Sequence, residues 1–475
     1  MELLILPLVF SLVSLVIPKN ARKLVALLGA LTSIVFAVVH WANFQPDSFM
    51  ELYANDGNLF KMSFRIGYDG LSLAMVLLTN IVTFLILLGN YENPTASNRL
   101  FNSMVFLMQF ALLGSFLSFD LILFYIFWEM ALIPVFLLAY WFGEKDRKKV
   151  LITFFLYTFI GSLAMLFSIF YIGSLSSSYD HEVLVSIEMD VKTAWIVAFG
   201  FLVAFGVKMP LFPFHTWQAP TYTKSPMAGT MLLSALMLKM ALYGVLRWLL
   251  PLTPEAYHCY KYLVIILGAI GVVYGAIIAI KQDDLKKVFA YASLSHVGLI
   301  AAGLMIVSID AFSGVVIQMV NHALVAVGLF LVADVIERRL GRRNISELGG
   351  IAVRAPKFAF WFTVIGFASI SIPFSSGFIG EFLLIKEILL DNIWLGILVG
   401  TNLVFGCVYV FRAYQLSMNG KKSSFEFNDL TLSEIITFAV LALIIVVLGV
   451  YPQLLFDLVK PSLDTIVSII KDSSI

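Results

Sequence analysis

Charged residues make up only 13% of this 475-residue chain, while hydrophobic ones make up 60%. A soluble domain carries roughly 25% charge and about 45–50% apolar residues, so a soluble fold is excluded. Cysteine is almost absent. Cys259 and Cys407 stand alone, which excludes an iron–sulfur cluster or a cysteine metal site built by this chain by itself. No strand–Gly-x-Gly-x-x-Gly–helix or Walker pattern occurs, so nucleotide binding has no visible home. The formal net charge is +1, which leaves no global field to attract nucleic acid. The first apolar run, residues 3–17, is followed by Pro18 and Lys19 rather than by a small-residue cleavage site. It reads as a retained first helix and not a signal peptide.

What fills the chain instead is apolar runs long enough to cross a bilayer, about 17–25 residues each. Fourteen are legible, near 2–17, 23–41, 69–90, 100–118, 120–140, 150–173, 193–212, 226–250, 261–280, 286–306, 311–336, 357–390, 393–417 and 431–456. The expected fold is therefore an all-α polytopic membrane protein of about 14 transmembrane helices. The stretches 43–69 and 174–192 read as surface loops, and the tail after Pro461 as short and mildly amphipathic. Loops after odd-numbered spans hold Lys19, Arg22, Lys23, Arg99, Lys145, Arg147, Lys148, Lys149, Lys224, Lys281, Lys286, Lys287, Arg338, Arg339, Arg342, Arg343, Arg354, Lys357, Lys421 and Lys422. The other side holds Lys61, Arg65, Lys192, Arg247, Lys261, Lys460 and Lys471. By the positive-inside rule this bias puts both termini outside the cytoplasm, in the periplasm if the membrane is a bacterial inner membrane.

Two spans are interrupted by proline: the seventh at Pro210 and Pro213, the twelfth at Pro373 and Gly377. Proline removes a helical donor, and inside a bilayer the freed carbonyls need a protein or water partner. The breaks lie five spans apart, and an odd offset inverts the second segment. That is the pattern of two inverted five-helix repeats, spans 4–8 and 9–13, each containing a broken helix. The implied organisation is a three-helix segment (1–99), a first half-channel repeat (100–250), a second (261–417), and a C-terminal helix with its tail (431–475).

Ionisable side chains sit deep in this oil: Glu129, Lys208, Lys239, His296 and His322, with Glu381 beyond the second break. Charging one at mid-membrane costs roughly 2.5–3.5 kcal/mol, and the commonest reason to keep several is to move protons or ions. At about 1.5 Å per residue, Glu129, His296 and His322 fall about 14–16 Å into their spans and Lys239 about 20 Å into a longer one. Groups at one depth on successive helices form a lateral row. Glu129 and Lys208 have opposite charge and are expected to pair, either as a static bridge or as a contact made and broken during transport. Moving one charge against about 150 mV costs roughly 3.5 kcal/mol, which a pair opening and closing in a poorly solvated site can supply. Lys239 has no carboxylate in its own span and is too far from a helix end to snorkel, so it reads as a proton-exchange group. His296 and His322 fit two readings, core histidines donating to backbone carbonyls or members of a relay. With no Cys, Asp or third His beside them, they do not read as metal ligands. Glu381 either caps the second half-helix or serves as a proton exit. Lys386 and Glu387 read as snorkelling, Asp334 with Arg338 as a surface pair, and His215 as a group at an interface or cavity.

The motifs carrying these residues are Tyr-Asp-Gly-Leu-Ser at 68–72, Phe-Trp-Glu-Met at 127–130, Val-Lys-Met-Pro-Leu-Phe-Pro-Phe-His-Thr-Trp at 207–217, Ser-His-Val-Gly at 295–298 and Gly-Phe-Ile-Gly-Glu-Phe at 377–382. Over roughly residues 69–451 the chain resembles the antiporter-like subunits of respiratory complex I, of the Mrp sodium/proton antiporters and of related hydrogenases. The resemblance implies that Glu129 and Lys208 form a coupling pair. It makes Lys239 the central proton relay, with His296 and His322 behind it. Glutamate at 381, where other branches usually carry lysine, points to a complex I branch of the family. The implied function is one proton-translocation channel in a membrane arm. Flavin, iron–sulfur clusters and quinone would then lie in partner subunits, with no cofactor in this chain. The implied partners are other antiporter-like and membrane-arm subunits and membrane lipid, with no nucleic acid. The alternatives are an antiporter or hydrogenase subunit using the same row, and a membrane scaffold whose charges are static helix pairs.

Overall fold

The computed structural model describes residues 1–55, 61–420 and 426–472. Lys421 and Lys422, counted above in the loop charge, lie outside the described residues. All fourteen predicted segments are helical. Among the described residues, eleven helical segments are long and apolar enough on their own to cross a membrane. The other three segments are the shorter apolar helix Glu2–Val16, the helix Leu285–Gly303 with two lysines in its first turn, and the interrupted pair Pro356–Ser369 and Ser376–Asp391.

The spans are not equivalent. In Arg22–Ala42, Ile393–Met418 and Leu432–Val450 about a third or less of the apolar window is buried inside the protein, as expected for a lipid-facing surface. In Met227–Leu252 and Ile309–Leu340 the whole window is buried. These two central spans carry Lys239 and His322, so neither side chain faces lipid. His296 is fixed by close packing of its helix, Leu285–Gly303, against Tyr257–Lys281. Small residues allow that approach: a Cβ on Gly268 would lie 2.6 Å from the carbonyl oxygen of Gly298.

Both predicted breaks are present. Val191–Lys208 ends two residues before Pro210, and the chain resumes as Gln218–Lys224. Pro210 cannot donate to Gly206, so the Gly206 carbonyl accepts instead from the Leu211 N–H at 2.8 Å, and the Val207 carbonyl accepts from the Trp217 indole at 2.9 Å. The second break spans residues 370–375, with Ser371 and Phe374 held at φ 57° and 73°, a region non-glycine residues seldom occupy. Gly377 lies inside the following helix rather than in the break.

Four expectations are corrected. The fifth span is not continuous: Leu121–Met130 gives way to Leu132–Phe142 at Ala131, because Pro134 has no N–H for the Met130 carbonyl. The tail is not short, since Gln453–Asp472 is a 20-residue helix running through Pro461. Its buried face, including Leu458, Ser462 and Ile466, packs on Gly70–Gly89 and Ile309–Leu340, while Asp457, Lys460 and Asp464 stay exposed. Asp334 and Arg338 are not a surface pair. Asp334 is buried, and Arg338 also reaches Glu434 at 2.8 Å, which Arg339 holds from the other side at 2.7 Å. Finally, the loop 43–69 contains a short antiparallel hairpin, Met50–Tyr53 with Ile66–Tyr68.

Candidate functional site

Span eight, Met227–Leu252, is not a regular α-helix. Two π-helical turns, Leu233–Met237 and Val245–Leu249, flank the segment Leu238–Gly244 that carries Lys239. Such turns are rare and concentrate at functional sites. The Lys239 ammonium donates to the Ser234 carbonyl in the first π turn at 3.0 Å, and its Nζ lies 2.6 Å from His322 Nδ1. On the far side of that ring, His322 Nε2 is 2.9 Å from the Ser293 hydroxyl, itself 3.3 Å from the Ser234 hydroxyl.

A second cluster follows. His296 and His322 lie with ring centroids 6.1 Å apart, beside a cavity of about 20 Å³ that both line with Ser293, Ser369 and Tyr409. That is room for about one water molecule. His296 Nδ1 lies 3.1 Å from Glu381 Oε1, and its Nε2 lies 3.2 Å from the Tyr409 hydroxyl. Asn402 donates to the same Glu381 oxygen at 3.1 Å, Gln318 at 3.3 Å, and the Ser295 hydroxyl donates to Asn402 at 2.8 Å. Lys239, His296, His322 and Glu381 are each 8% exposed or less. Glu381 also lines a cavity of about 450 Å³ that runs past Ile385, Lys386 and Leu389 toward Ile393.

The structure therefore brings four of the six predicted residues into one row. The ring nitrogens of both histidines face side chains that can give or take a proton. Glu381 is not a helix cap, because Ser375 fills that position and accepts from the Phe378 N–H. Lys386 pairs with Asp310 at 2.7 Å and Glu387 at 3.0 Å, near the end of its helix. His215 is buried, stacked on Phe212 and edge-on to Tyr274.

Glu129 and Lys208 are brought near one another but not joined. Lys208 donates to the Trp128 carbonyl at 2.9 Å and lies 4.1 Å over the Trp128 ring, a cation–π contact. Glu129 Oε1 is buried without a hydrogen-bond partner. The expected ion pair is thus open, with the ammonium held by the Trp128 carbonyl and ring instead. Sequence reasoning also missed Ser234, Ser293, Gln318, Asn402 and Tyr409. The available signal was a polar residue inside an apolar span, which Gln318 and Asn402 satisfy plainly.

Among the described residues, no group of three or more His, Cys, Asp or Glu is arranged to hold a metal ion. Outside the spans, burial would raise the Glu144 carboxyl, but Arg343 at 2.5 Å and the nearby lysines hold it below the usual carboxylate range.

Residues 118–406 match the family model described as NADH:quinone oxidoreductase/Mrp antiporter, transmembrane. The chain belongs to this family. Among its relatives, NADH-quinone oxidoreductase subunit M of Rickettsia conorii is 31% identical, covering 91% of this chain and 89% of that protein. The Rhodobacter capsulatus subunit M is also 31% identical, with 94% and 90% covered. In structure, a chain of respiratory complex I from Thermus thermophilus with bound NADH matches with a TM-score of 0.92 and 28% identity, over 99% of each chain. A chain of the Mrp complex from Dietzia shares the fold, with a TM-score of 0.89 and 18% identity over 98% of this chain and 97% of that one.

Proposed function

We propose that this chain is a membrane-arm subunit, of the subunit M type, of a proton-pumping NADH:quinone oxidoreductase, and that it carries one proton-translocation path. The observation that carries this reading is the hydrogen-bonded row Lys239–His322 and His296–Glu381, set between two spans whose apolar windows are buried throughout. Lys239 is the central relay, His322 and His296 pass the proton on, and Glu381 releases it. Glu129 and Lys208 form the coupling pair, closing and opening as neighbouring subunits move. Quinone reduction, flavin and iron–sulfur chemistry belong to partner subunits, and other antiporter-like subunits flank this one. Both termini lie on the non-cytoplasmic side, and the chain divides at 1–99, 100–250, 261–417 and 431–475 as read from the sequence.

The geometry explains how one proton moves. An N–H···N bond needs one donor and one acceptor, so the Lys239–His322 contact holds one mobile proton and not two. Two unit charges 2.6 Å apart would repel by about 6 kcal/mol at an effective dielectric of about 20. Loading Lys239 therefore favours a neutral His322, which accepts the proton at Nδ1. The cavity that both rings line has room for a single water, which would span the step to His296, whose Nδ1 already faces Glu381.

A sodium/proton antiporter uses a related fold, but a sodium site needs an oxygen cage. The partners of Glu381 Oε1 here are nitrogen groups of His296, Asn402 and Gln318, which favours protons. In the assembled complex, Glu129→Gln and Lys208→Ala should each strongly reduce NADH-driven proton transport. Normal transport in both variants would remove the coupling role.

A further inference from the structure

Lys239, Tyr243 and Arg247 stand four residues apart on span eight, and Arg247 points away from the relay toward the face that carries the chain termini. Arg247 donates to Asp69 Oδ2 at 2.5 Å and to the Tyr243 hydroxyl at 3.2 Å, with its guanidinium 4.8 Å from the Phe119 ring. A cavity of about 380 Å³ with a mixed apolar and polar lining reaches this group, its polar side formed by Asp47, Asp69, His181, Glu182, Arg247 and Ser462. The Glu182 side chain is 72% exposed, so the cavity mouth meets solvent. Along the helix only about 12 Å separates Arg247 from Lys239. Water on that side therefore comes close to the central relay without passing Glu381.

Two features stop a proton there. The Tyr243 hydroxyl donates to the Phe116 carbonyl at 3.1 Å and receives Arg247 and Ser72, the latter at 2.9 Å. A backbone carbonyl is a dead end for a hopping proton, so the phenol has no onward route. Arginine remains charged at any working pH, so although Asp69 offsets part of its charge, the guanidinium beside Tyr243 can neither take up a proton nor pass one on.

We propose that Arg247, held by Asp69 and Tyr243, is an electrostatic seal that prevents protons on the terminal face from leaking back to Lys239. The proposal rests on the proton-transport reading above. The seal makes transport one-way through the second half, where Glu381 opens to its own cavity, and it assigns a function to a buried ion pair that the relay does not use.

The test uses the assembled complex in proteoliposomes and measures both NADH-driven acidification and passive decay of an imposed proton gradient. Arg247→Gln should speed passive decay by on the order of tenfold to a hundredfold, the weight of one unit charge at roughly 6 Å in an effective dielectric of about 20. Arg247→Lys, which keeps a cation beside Asp69, should restore most of the tightness. Adding Lys239→Ala to Arg247→Gln should abolish the leak, because the leak must pass through Lys239. A tight, fully pumping Arg247→Gln complex overturns the seal. So does loss of pumping without leak, which would make Arg247 part of the path itself. If Arg247→Gln does not assemble, Tyr243→Phe decides, since it removes one of the two groups that hold Arg247. Faster passive decay then supports the seal, and an unchanged decay overturns it. Normal pumping by Lys239→Ala alone would instead overturn the transport reading.

Discussion

Lys208 meets a backbone carbonyl and an aromatic face, whereas Lys239 meets an imidazole that can itself take a proton. Both are buried lysines in broken or distorted spans, yet their surroundings permit different things. Neither a carbonyl nor an indole ring accepts a proton, so a proton on Lys208 stays until something moves. The nearest mover is Glu129, one of whose carboxylate oxygens is buried without a partner. A proton on Lys239 has an acceptor at 2.6 Å and a chain of polar side chains beyond it. On the proposed reading, the first half acts as a gate that needs motion, and the second as a wire whose one gap, between His322 and His296, a water must fill. Coupled polar networks of this kind are costly if left half-satisfied, which explains why Ser293, Asn402, Gln318 and Tyr409 accompany the titratable groups.

The largest effect should come from cutting the wire at its head. Lys239→Ala is expected to lower NADH-driven proton transport at least about tenfold, equal to about 1.4 kcal/mol of barrier, with the complex still assembled. Normal transport would favour a scaffold in which the charges only hold helices together. A smaller loss should follow Asn402→Leu, which removes both the donor to Glu381 and the acceptor for the Ser295 hydroxyl. One hydrogen bond of about 1 kcal/mol corresponds to roughly a fivefold fall in rate. Asn402→Asp, which retains the acceptor for Ser295 but places a second carboxylate beside Glu381, should be worse than leucine. Equal losses would show that Asn402 acts by packing alone.

The sequence exposed the wire better than the gate, for physical reasons. Burial of Lys239, His322 and Glu381 followed from span length and depth, and a lateral row follows once several spans share one depth. Proline also announced both broken helices, since the missing donor is a property of the residue itself. What stayed hidden depended on tertiary packing. The π turns around Lys239 arise inside a span of ordinary composition, and nothing local distinguishes Ser234 from any other helical serine. The open Glu129–Lys208 contact depends on packing beside the kink at Ala131, where the Trp128 carbonyl takes the ammonium in place of the expected carboxylate. Pro134 was the available signal for that kink. The helix Gln453–Asp472 was hidden for a different reason: its proline suggested an end, but Pro461 lies inside the helix and the buried face of Leu458, Ser462 and Ile466 holds the segment together.

A third histidine sharpens the contrast between groups that carry protons and groups that do not. His181 lies outside the spans, its Nε2 3.0 Å from the Arg247 carbonyl. Burial, and then the charge of Arg247, push it down to about 3, while the bond to the Arg247 carbonyl and the charge of Asp69 oppose the shift and Arg65 reinforces it. An unfolded chain would titrate this group near about 6.5. Above that pH both states are neutral and the difference contributes no penalty. As pH falls below about 6.5 the unfolded state gains a proton that the folded state refuses, so stability is lost by at most about 1.4 kcal/mol per pH unit from this group. The purified complex should therefore melt at a lower temperature at pH 5.5 than at pH 7, and His181→Gln should show a smaller acid loss than the native protein. An identical acid loss in the two would mean that His181 is already protonated when folded, and the cavity beneath Arg247 would then hold a titrating group that the seal does not allow for.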